Sequence, residues 1–413
     1  MLIKWASVSG SSSGHIDKEV AMLLLIRGGS VYAPERLGIK DILVAGQQIE
    51  AIAEPENLKL AGVEIQTIEA KSKFITPGII DSHVHILGGG GEGGPATRAP
   101  EIAIEDIVAS GVTTLIGCLG TDGITRHMSS LLAKARALEI EGVTTFVFSG
   151  SYEIPVNTLT GSIRSDLVLI DKIIGAGEIA VSDHRSSQPR FEEIARLAAE
   201  CRVGGMLGGK AGVLHLHLGD GKRGLEFLFR LLKETEIPAN QVIPTHVNRN
   251  RRLLDEALEY VLAGGYADLT SGVGLGEESE ADVSVETAVK LCLERNVPLR
   301  RITVSSDSNG SLPVFDRQGN LVGLTIATEK TLLDKFRSLV RKNILPLEQT
   351  AELFATNPAR FYKLFGKGEI RPGMDADLLI FDKDLNLTDV VARGRPLMAD
   401  KKLLAKGTFR QKG

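Results

Sequence analysis

Cysteine is scarce in this chain. The three present, Cys118, Cys201 and Cys292, are odd in number, scattered and without CxxC spacing. That pattern excludes a disulfide framework and favours reduced thiols in a cytoplasmic protein. No apolar run approaches bilayer length, so no transmembrane helix and no membrane partner are expected. Excess charge is missing as well: the formal net charge is −4, and no basic stripe is present to bind nucleic acid or anionic lipid. What remains is an ordinary globular composition, 43% hydrophobic and 24% charged over 413 residues, long enough for one large domain and a smaller one.

Residues 1–21 include a Ser/Gly-rich stretch that ends before Met22, where a strand-like segment begins. They read as an added leader or a disordered extension, and His15 is set aside with them. Beyond them, β-rich segments alternate with helical ones. Strand candidates are FITPGIIDSHVH, VTTLIGCLG, TTFVFSG, EIAVSDHR, VLHLHLGD, VIPTHVN, ADLTS and ITVSSDSNG, separated by amphipathic stretches such as FEEIARLAAECR. Eight such units predict an α/β fold, a (β/α)8 TIM barrel over residues 79–364. Residues 22–78 and 365–413 have turns and short strands without a long helix, and are expected to pair as one small β-sandwich domain built from both chain ends.

In such a barrel the chemistry sits at the C-terminal ends of the strands. His83 and His85 end the first strand, His217 the fifth, His246 the sixth and Asp307 the eighth. Positions i and i+2 of a strand face the same way, so His83 and His85 point together into the barrel mouth. Imidazoles with a carboxylate are ligands for zinc or a similar divalent ion. The HxH pair alone fits ligands and hydrogen-bonded core histidines equally well; agreement among four strand ends favours the metal. His127, His184 and His215 are expected to be hydrogen-bonded core histidines, although the HLH at 215–217 also places two imidazoles on one face. Two nucleotide motifs fail on context. Gly204 to Lys210 nearly spells a phosphate loop, but Ala211 replaces the Ser/Thr that would hold magnesium. Gly88, Gly90 and Gly93 match GxGxxG without a helix start after them.

The stretches PGIIDSHVH, HVHILGGGGEGGPATRAPE, LGTDGITRH, SDHRS, VGGMLGGKAGV, PTHVNRN and SSDSNGSLPVFD, with a terminal GEIRPGMDADLLI, resemble the amidohydrolase superfamily and, within it, the bacterial isoaspartyl (β-aspartyl) dipeptidases. The resemblance runs from about Met22 to the C-terminus. It implies a metallo-dipeptidase with two divalent ions, zinc by preference, joined by a bridging carboxylate and a bridging hydroxide. His83, His85 and Asp307 would hold one ion, and His217 and His246 the other. Asp307 would also act as general base and acid, and Tyr152 would help stabilise the oxyanion. Glu92 would pair with the substrate ammonium, Arg185 and Arg249 with carboxylate, while Gly90, Thr121 and Ser311 fall at further contact positions. A homo-oligomer such as an octamer is also implied. Cleavage of a cyclic amide or an N-acyl group, or a non-catalytic scaffold, remain as alternatives.

One position departs from the pattern. Isoaspartyl dipeptidases bridge their metals with a lysine carbamate on the fourth strand, whereas IIGAGEIAVSDHRS carries Glu178 there, and the neighbouring lysines, Lys172 and Lys210, lie out of register. Glutamate keeps one negative charge and two oxygens but is several bonds shorter. A Glu178-bridged pair of ions is expected, with the strand backbone or the metal pair moved inward; the alternatives are a damaged or mononuclear site that holds one ion weakly, and a Glu178 that is a solvent-facing carboxylate at the start of the strand.

Overall fold

Clusters of turn residues cut the first part of the chain into β1 (Leu23–Tyr32), β2 (Arg36–Ala45), β3 (Gln48–Ala53), β4 (Gln66–Glu69) and β5 (Phe74–Pro77). The computed structural model describes residues 23–58, 62–272, 283–315 and 321–409, so the expected leader and His15 lie outside the described residues. The single strand expected over FITPGIIDSHVH is two: Gly78 separates β5 from β6 (Ile79–Val84), and the halves join different sheets.

From β6 the chain continues through β7 (Val112–Gly117), β8 (Thr144–Ser149), β9 (Ile173–Val181), β10 (Val213–Leu218), β11 (Val242–Thr245), β12 (Ala267–Thr270) and β13 (Ile302–Ser305). Strands β6 to β11 pair in parallel in sequence order, and β12 pairs in parallel with β13. The free edges of these two sheets meet. Asp307 N donates to His83 O at 3.1 Å and His85 N to Ser308 O at 2.9 Å on one side, and Val247 N to Asp268 O at 3.4 Å on the other. A helix lies between each strand and the next, among them Met128–Glu141, Phe191–Gly208 and Arg251–Leu262, and Lys330–Arg341 follows β13 and a hairpin. The glycines at 204–209 that mimic a phosphate loop form the C-terminal turn of Phe191–Gly208, closed by Gly209 in the left-handed conformation at φ 66°.

Strand periodicity sorts the core. Ile79, Leu115, Val147, Ile173, Leu214 and Val242 pack outward with the helices. Their sequence neighbours Ile80, Ile116, Phe148, Ile174, Val213 and Ile243 turn the other way and meet Phe361 and Tyr362 as an apolar floor. Above that floor, at the C-terminal strand ends, the lining becomes polar.

After the hairpin β14 (Ser311–Phe315) and β15 (Leu321–Ile326) and the helix Lys330–Arg341, the chain returns through β16 (Leu378–Phe381), β17 (Leu387–Ala392), β18 (Arg395–Ala399) and β19 (Lys402–Leu403). Both chain ends thus build one mixed sheet in the order β19-β18-β17-β16-β5-β1-β2-β3, with β4 also on β1. The hydrogen bonding is continuous because β1 exchanges β4 for β5 as its parallel partner along its length. Leu378 and Ile380 face a core shared with Leu24, Ile42 and Ile49, while Leu379 and Phe381 join the helix-side core. No helix among the described residues is long and apolar enough to cross a membrane.

A buried cation fastens the mixed sheet to β8. Lys367 Nζ lies 2.6 Å from Asp377 Oδ2, 2.8 Å from Asp375 Oδ2 and 2.6 Å from Thr144 Oγ1. Removing one member of a buried pair strands the other charge. Lys367→Met should therefore cost about 3–5 kcal/mol in denaturant unfolding, whereas exposed Lys401→Met should leave the midpoint nearly unchanged.

Candidate metal centre

The centre is organised by Glu178. Along β9 and β10, Ala176 faces Leu214 and Ile179 faces Leu216, so Gly177 and Glu178 together oppose the single residue His215. This β-bulge turns Glu178 inward, fully buried. Glycine is required beside it, since a Cβ at Gly177 would sit 2.7 Å from the His215 carbonyl oxygen and 2.8 Å from its Cβ. Glu178 is thus neither at the start of its strand nor solvent-facing.

Four imidazoles converge on this carboxylate. His83 Nε2 is 3.3 Å from Glu178 Oε2, His85 Nε2 3.3 Å from Oε1, His217 Nδ1 3.0 Å from Oε2 and His246 Nε2 3.6 Å from Oε2. Asp307 Oδ1 lies 3.5 Å from His83 Nε2 and 3.1 Å from His85 Nε2. All six ligand candidates read from the sequence are therefore together. His246 and Asp307 both have left-handed backbones, at φ 61° and 57°, the strained sort of geometry that clusters at functional sites.

Charge and hydrogen bonding show what the cluster lacks. Burial opposes the charge on Glu178 and Asp307, yet neighbouring imidazoles hold both below the ordinary carboxylate range. Burial likewise lowers His83 and His85, but Cys118 and Glu178 beside both, with Asp307 at His85, outweigh it and raise both well above an ordinary imidazole. His246 falls to about 3, chiefly through burial. The centre thus draws in positive charge. His83 Nε2, His246 Nε2 and Glu178 Oε1 are buried without hydrogen-bond partners, and orphans of this kind require an explanation. Two atoms bound to one tetrahedral zinc at about 2.0–2.1 Å lie roughly 3.3–3.4 Å apart. The 3.3–3.6 Å separations of His83, His85 and His246 from Glu178 fit that spacing. The donor set therefore suits divalent cations.

At the mouth, Glu92 Oε1 accepts from Thr121 Oγ1 at 2.9 Å and lies 3.3 Å from Arg185 Nη1, while Oε2 accepts from Ser311 Oγ at 3.0 Å. Burial opposes its charge, but hydrogen bonds from its own amide, Thr121 and Ser311, with Arg185 nearby, lower it. Gly90 sits in this loop at φ 75°, where a Cβ would meet Thr97 O at 2.5 Å. Tyr152 Oη is 2.9 Å from His217 Nδ1, and burial and then Glu178 hold the phenol well above its usual value, so it keeps its proton. Arg249 is half-buried, and its charge acts on both Tyr152 and His246.

The two remaining expected core histidines, His127 and His184, are exposed instead. His127 precedes the helix Met128–Glu141 and His184 lies in the loop after β9, so neither belongs to a strand face. His215 is buried as expected, but within the centre.

Other residues belong to the site without having been singled out. Asp183 accepts from Arg185 Nη2 at 2.8 Å and lies 3.0 Å from His217 Nε2, holding the second nitrogen of that ring. Cys118 Sγ is 3.9 Å from His85 Nδ1. Asp268, raised to about 7 by burial, accepts from Thr245 and Ser305 beneath the centre. Arg126 donates to the carbonyls of Leu87, Gly89, Gly90 and Ala99, bracing the glycine loop behind Glu92. The adjacency of Asp183 to Arg185 was the available signal; nothing in the spacing of Arg126 or Asp268 marked them.

The model of the amidohydrolase family matches residues 74–401. The chain belongs to this family. Its structure superposes on the crystal structure of the β-aspartyl dipeptidase of the thermophilic, keratin-degrading Fervidobacterium islandicum AW-1 in complex with β-Asp-Leu, with a TM-score of 0.87, 44% identity and coverage of 93% of this chain and 98% of that one. Dihydropyrimidinase of Brevibacillus agri NCHU1002, at 17% identity and a TM-score of 0.66 over 94% of this chain and 97% of that one, shares the fold. In sequence, the chain is 23% identical over 397 residues to an adenine deaminase of Halalkalibacterium halodurans, matching over 92% of its own length but spanning only 58% of that protein.

The bulge makes a direct test possible. Gly177→Ala must push the added methyl against His215, an overpacking cost of about 1–3 kcal/mol that moves Glu178 away from the histidines. Metal content by elemental analysis should fall in the folded variant, and wild-type content would contradict the role of the bulge.

Proposed function

We propose that this amidohydrolase hydrolyses isoaspartyl (β-aspartyl) dipeptides with two divalent metal ions, zinc by preference, held in a closed (β/α)8 barrel flanked by the mixed sheet of the chain ends. The observation that carries the reading is the union of a buried histidine–carboxylate centre with an acidic and basic mouth, Glu92 beside Arg185. An isoaspartyl dipeptide brings complementary groups, an α-ammonium and α-carboxylate on its first residue, with the scissile bond on the side-chain carbonyl. The complex of the similar Fervidobacterium enzyme with β-Asp-Leu supports the same substrate class.

His83, His85 and Asp307 would hold one ion, His217 and His246 the other, and Glu178 would bridge them. Bound there, the ions would acidify water and polarise the scissile carbonyl. Asp307 accepts the proton of the attacking water and returns it to the departing amine. Tyr152, protonated and buried against His217, donates a hydrogen bond to the oxygen that gains charge. Glu92 binds the ammonium, with Thr121 and Ser311 fixing its carboxylate, and Arg185 and Arg249 bind carboxylate. Gly90 leaves the loop backbone open to the ligand.

Recognition is tested with the substrate itself. Glu92→Gln removes a charge-assisted contact of about 2–5 kcal/mol and should lower kcat/KM for β-Asp-Leu by roughly thirty-fold or more. N-acetyl-β-Asp-Leu should be a poor substrate of the wild type; equal rates would remove Glu92 from the ammonium site.

The bridge is tested by assembly. Chelation should abolish hydrolysis, and zinc or cobalt should restore it equally in bicarbonate-free and bicarbonate-rich buffer, because Glu178 needs no carbon dioxide. A strong bicarbonate requirement, or unchanged metal content in Glu178→Ala, would overturn the bridge.

A further inference from the structure

The sequence places His215 two residues before a candidate ligand, and the structure connects it to the centre. Its Nε2 lies 2.8 Å from His83 Nδ1, and its Nδ1 lies 3.3 Å from the hydroxyl of Tyr362. The ring is fully buried and stacks on Phe148 with a centroid distance of 4.7 Å and an interplanar angle of 14°, which fixes its plane. Tyr362 rises from the apolar floor.

The proton count along this line has one solution if His83 is a ligand. To present a lone pair at Nε2, neutral His83 must carry its proton on Nδ1, and that proton faces His215 Nε2. His215 Nε2 must then accept, so its own proton sits on Nδ1 and faces the Tyr362 oxygen. Tyr362 accepts there through its hydroxyl oxygen and turns its own proton away from His215. Reversing either imidazole opposes two N–H groups or two lone pairs across 2.8 Å inside the core, where an unmade hydrogen bond carries its full desolvation cost.

We infer that His215, backed by Tyr362, is a positioning residue that locks His83 in the Nδ1–H tautomer and so keeps Nε2 available to a cation. Metal-bound histidines ordinarily donate this second proton to a carboxylate, carbonyl or water. Here a second imidazole accepts it, held by stacking instead of by charge, so this ring needs no carboxylate of its own behind it.

The inference rests on His83 being a metal ligand, and the experiment separates the two ideas. Metal-free wild type, His215→Gln, His215→Met and Tyr362→Phe are titrated with cobalt and zinc against a competing chelator, with the cobalt visible spectrum and the thermal midpoint of each metal-free protein recorded. Glutamine places an amide oxygen near the position of Nε2 and still accepts; methionine fills similar space and cannot. Loss of a ligand's hydrogen-bonding partner typically weakens metal binding about 10- to 100-fold. His215→Met should show that loss and an altered cobalt spectrum, His215→Gln should recover most of the affinity, and Tyr362→Phe should lose less than methionine. A role in packing alone would make metal affinity follow the metal-free midpoints. Wild-type affinity in His215→Met, or equal losses in the glutamine and methionine variants, would overturn the lock. If methionine prevents folding, unchanged affinity and spectrum in Tyr362→Phe together with a loss in His215→Gln would do the same. A wild type that binds neither metal would instead remove His83 as a ligand and the lock with it.

Discussion

One buried carboxylate with four imidazoles around it sets the terms for the rest of the molecule. Glu178 is fully buried and retains its charge because His83, His85, His217 and His246 all reach it within 3.6 Å. An isolated carboxylate in such surroundings would be too costly to keep ionised. The imidazoles must therefore arrive from several strands at one height, and a parallel sheet delivers this, since its strand ends lie side by side. The apolar floor of Ile80, Phe148, Ile174 and Tyr362 beneath excludes water from one side and strengthens each electrostatic interaction above it.

The surrounding structure supports this arrangement in layers. The bulge at Gly177 and Glu178 aims the carboxylate, and the left-handed backbones of His246 and Asp307 aim two of its partners. These strained positions persist because well-packed strands and helices over-determine them. Asp183 fixes the second nitrogen of His217, His215 meets that of His83, and Thr270 Oγ1 meets Nδ1 of His246 at 2.7 Å. With Cys118 Sγ 3.9 Å from His85 Nδ1, each of the four rings has a partner on the nitrogen facing away from the shared centre. Arg126 does comparable work for the mouth, where one guanidinium gathers four carbonyls of a loop rich in glycine and poor in internal packing.

Residues whose geometry follows from strand periodicity were legible in the sequence. His83 and His85 share a face because they are two apart, and seven of the eight expected segments contain a strand, while EIAVSDHR holds only the last four residues of β9, which begins at Ile173. The polar set at the mouth was legible only through resemblance, because a lone glutamate in a glycine loop has no periodicity to read. His184 is exposed for a related reason, since a histidine just past a strand end reads like one on the strand yet its loop turns it to solvent, whereas His127 sits exposed at the start of the helix Met128–Glu141. Gly78 was the unheeded signal that the first long segment serves two sheets. Asp268, Cys118 and Arg126 gave no signal, since their importance lies in partners far away in sequence.

The exchange of a long bridging group for glutamate reads in the sequence as a shortfall of several bonds. In the structure the shorter carboxylate still sits among the four histidines. The extra residue of β9 relative to β10 lies at Gly177 and Glu178, and the Glu178 carboxylate there comes within 3.6 Å of four imidazole nitrogens. This solution ties the centre to one particular neighbour. The bulged backbone lies against β10 at His215, which leaves no room for a side chain at Gly177, and the same His215 ring meets His83. The bulge and the histidine pair are therefore two consequences of one adjustment, and a longer residue substituted at Glu178 would have to displace the strand before it could reach the same four nitrogens.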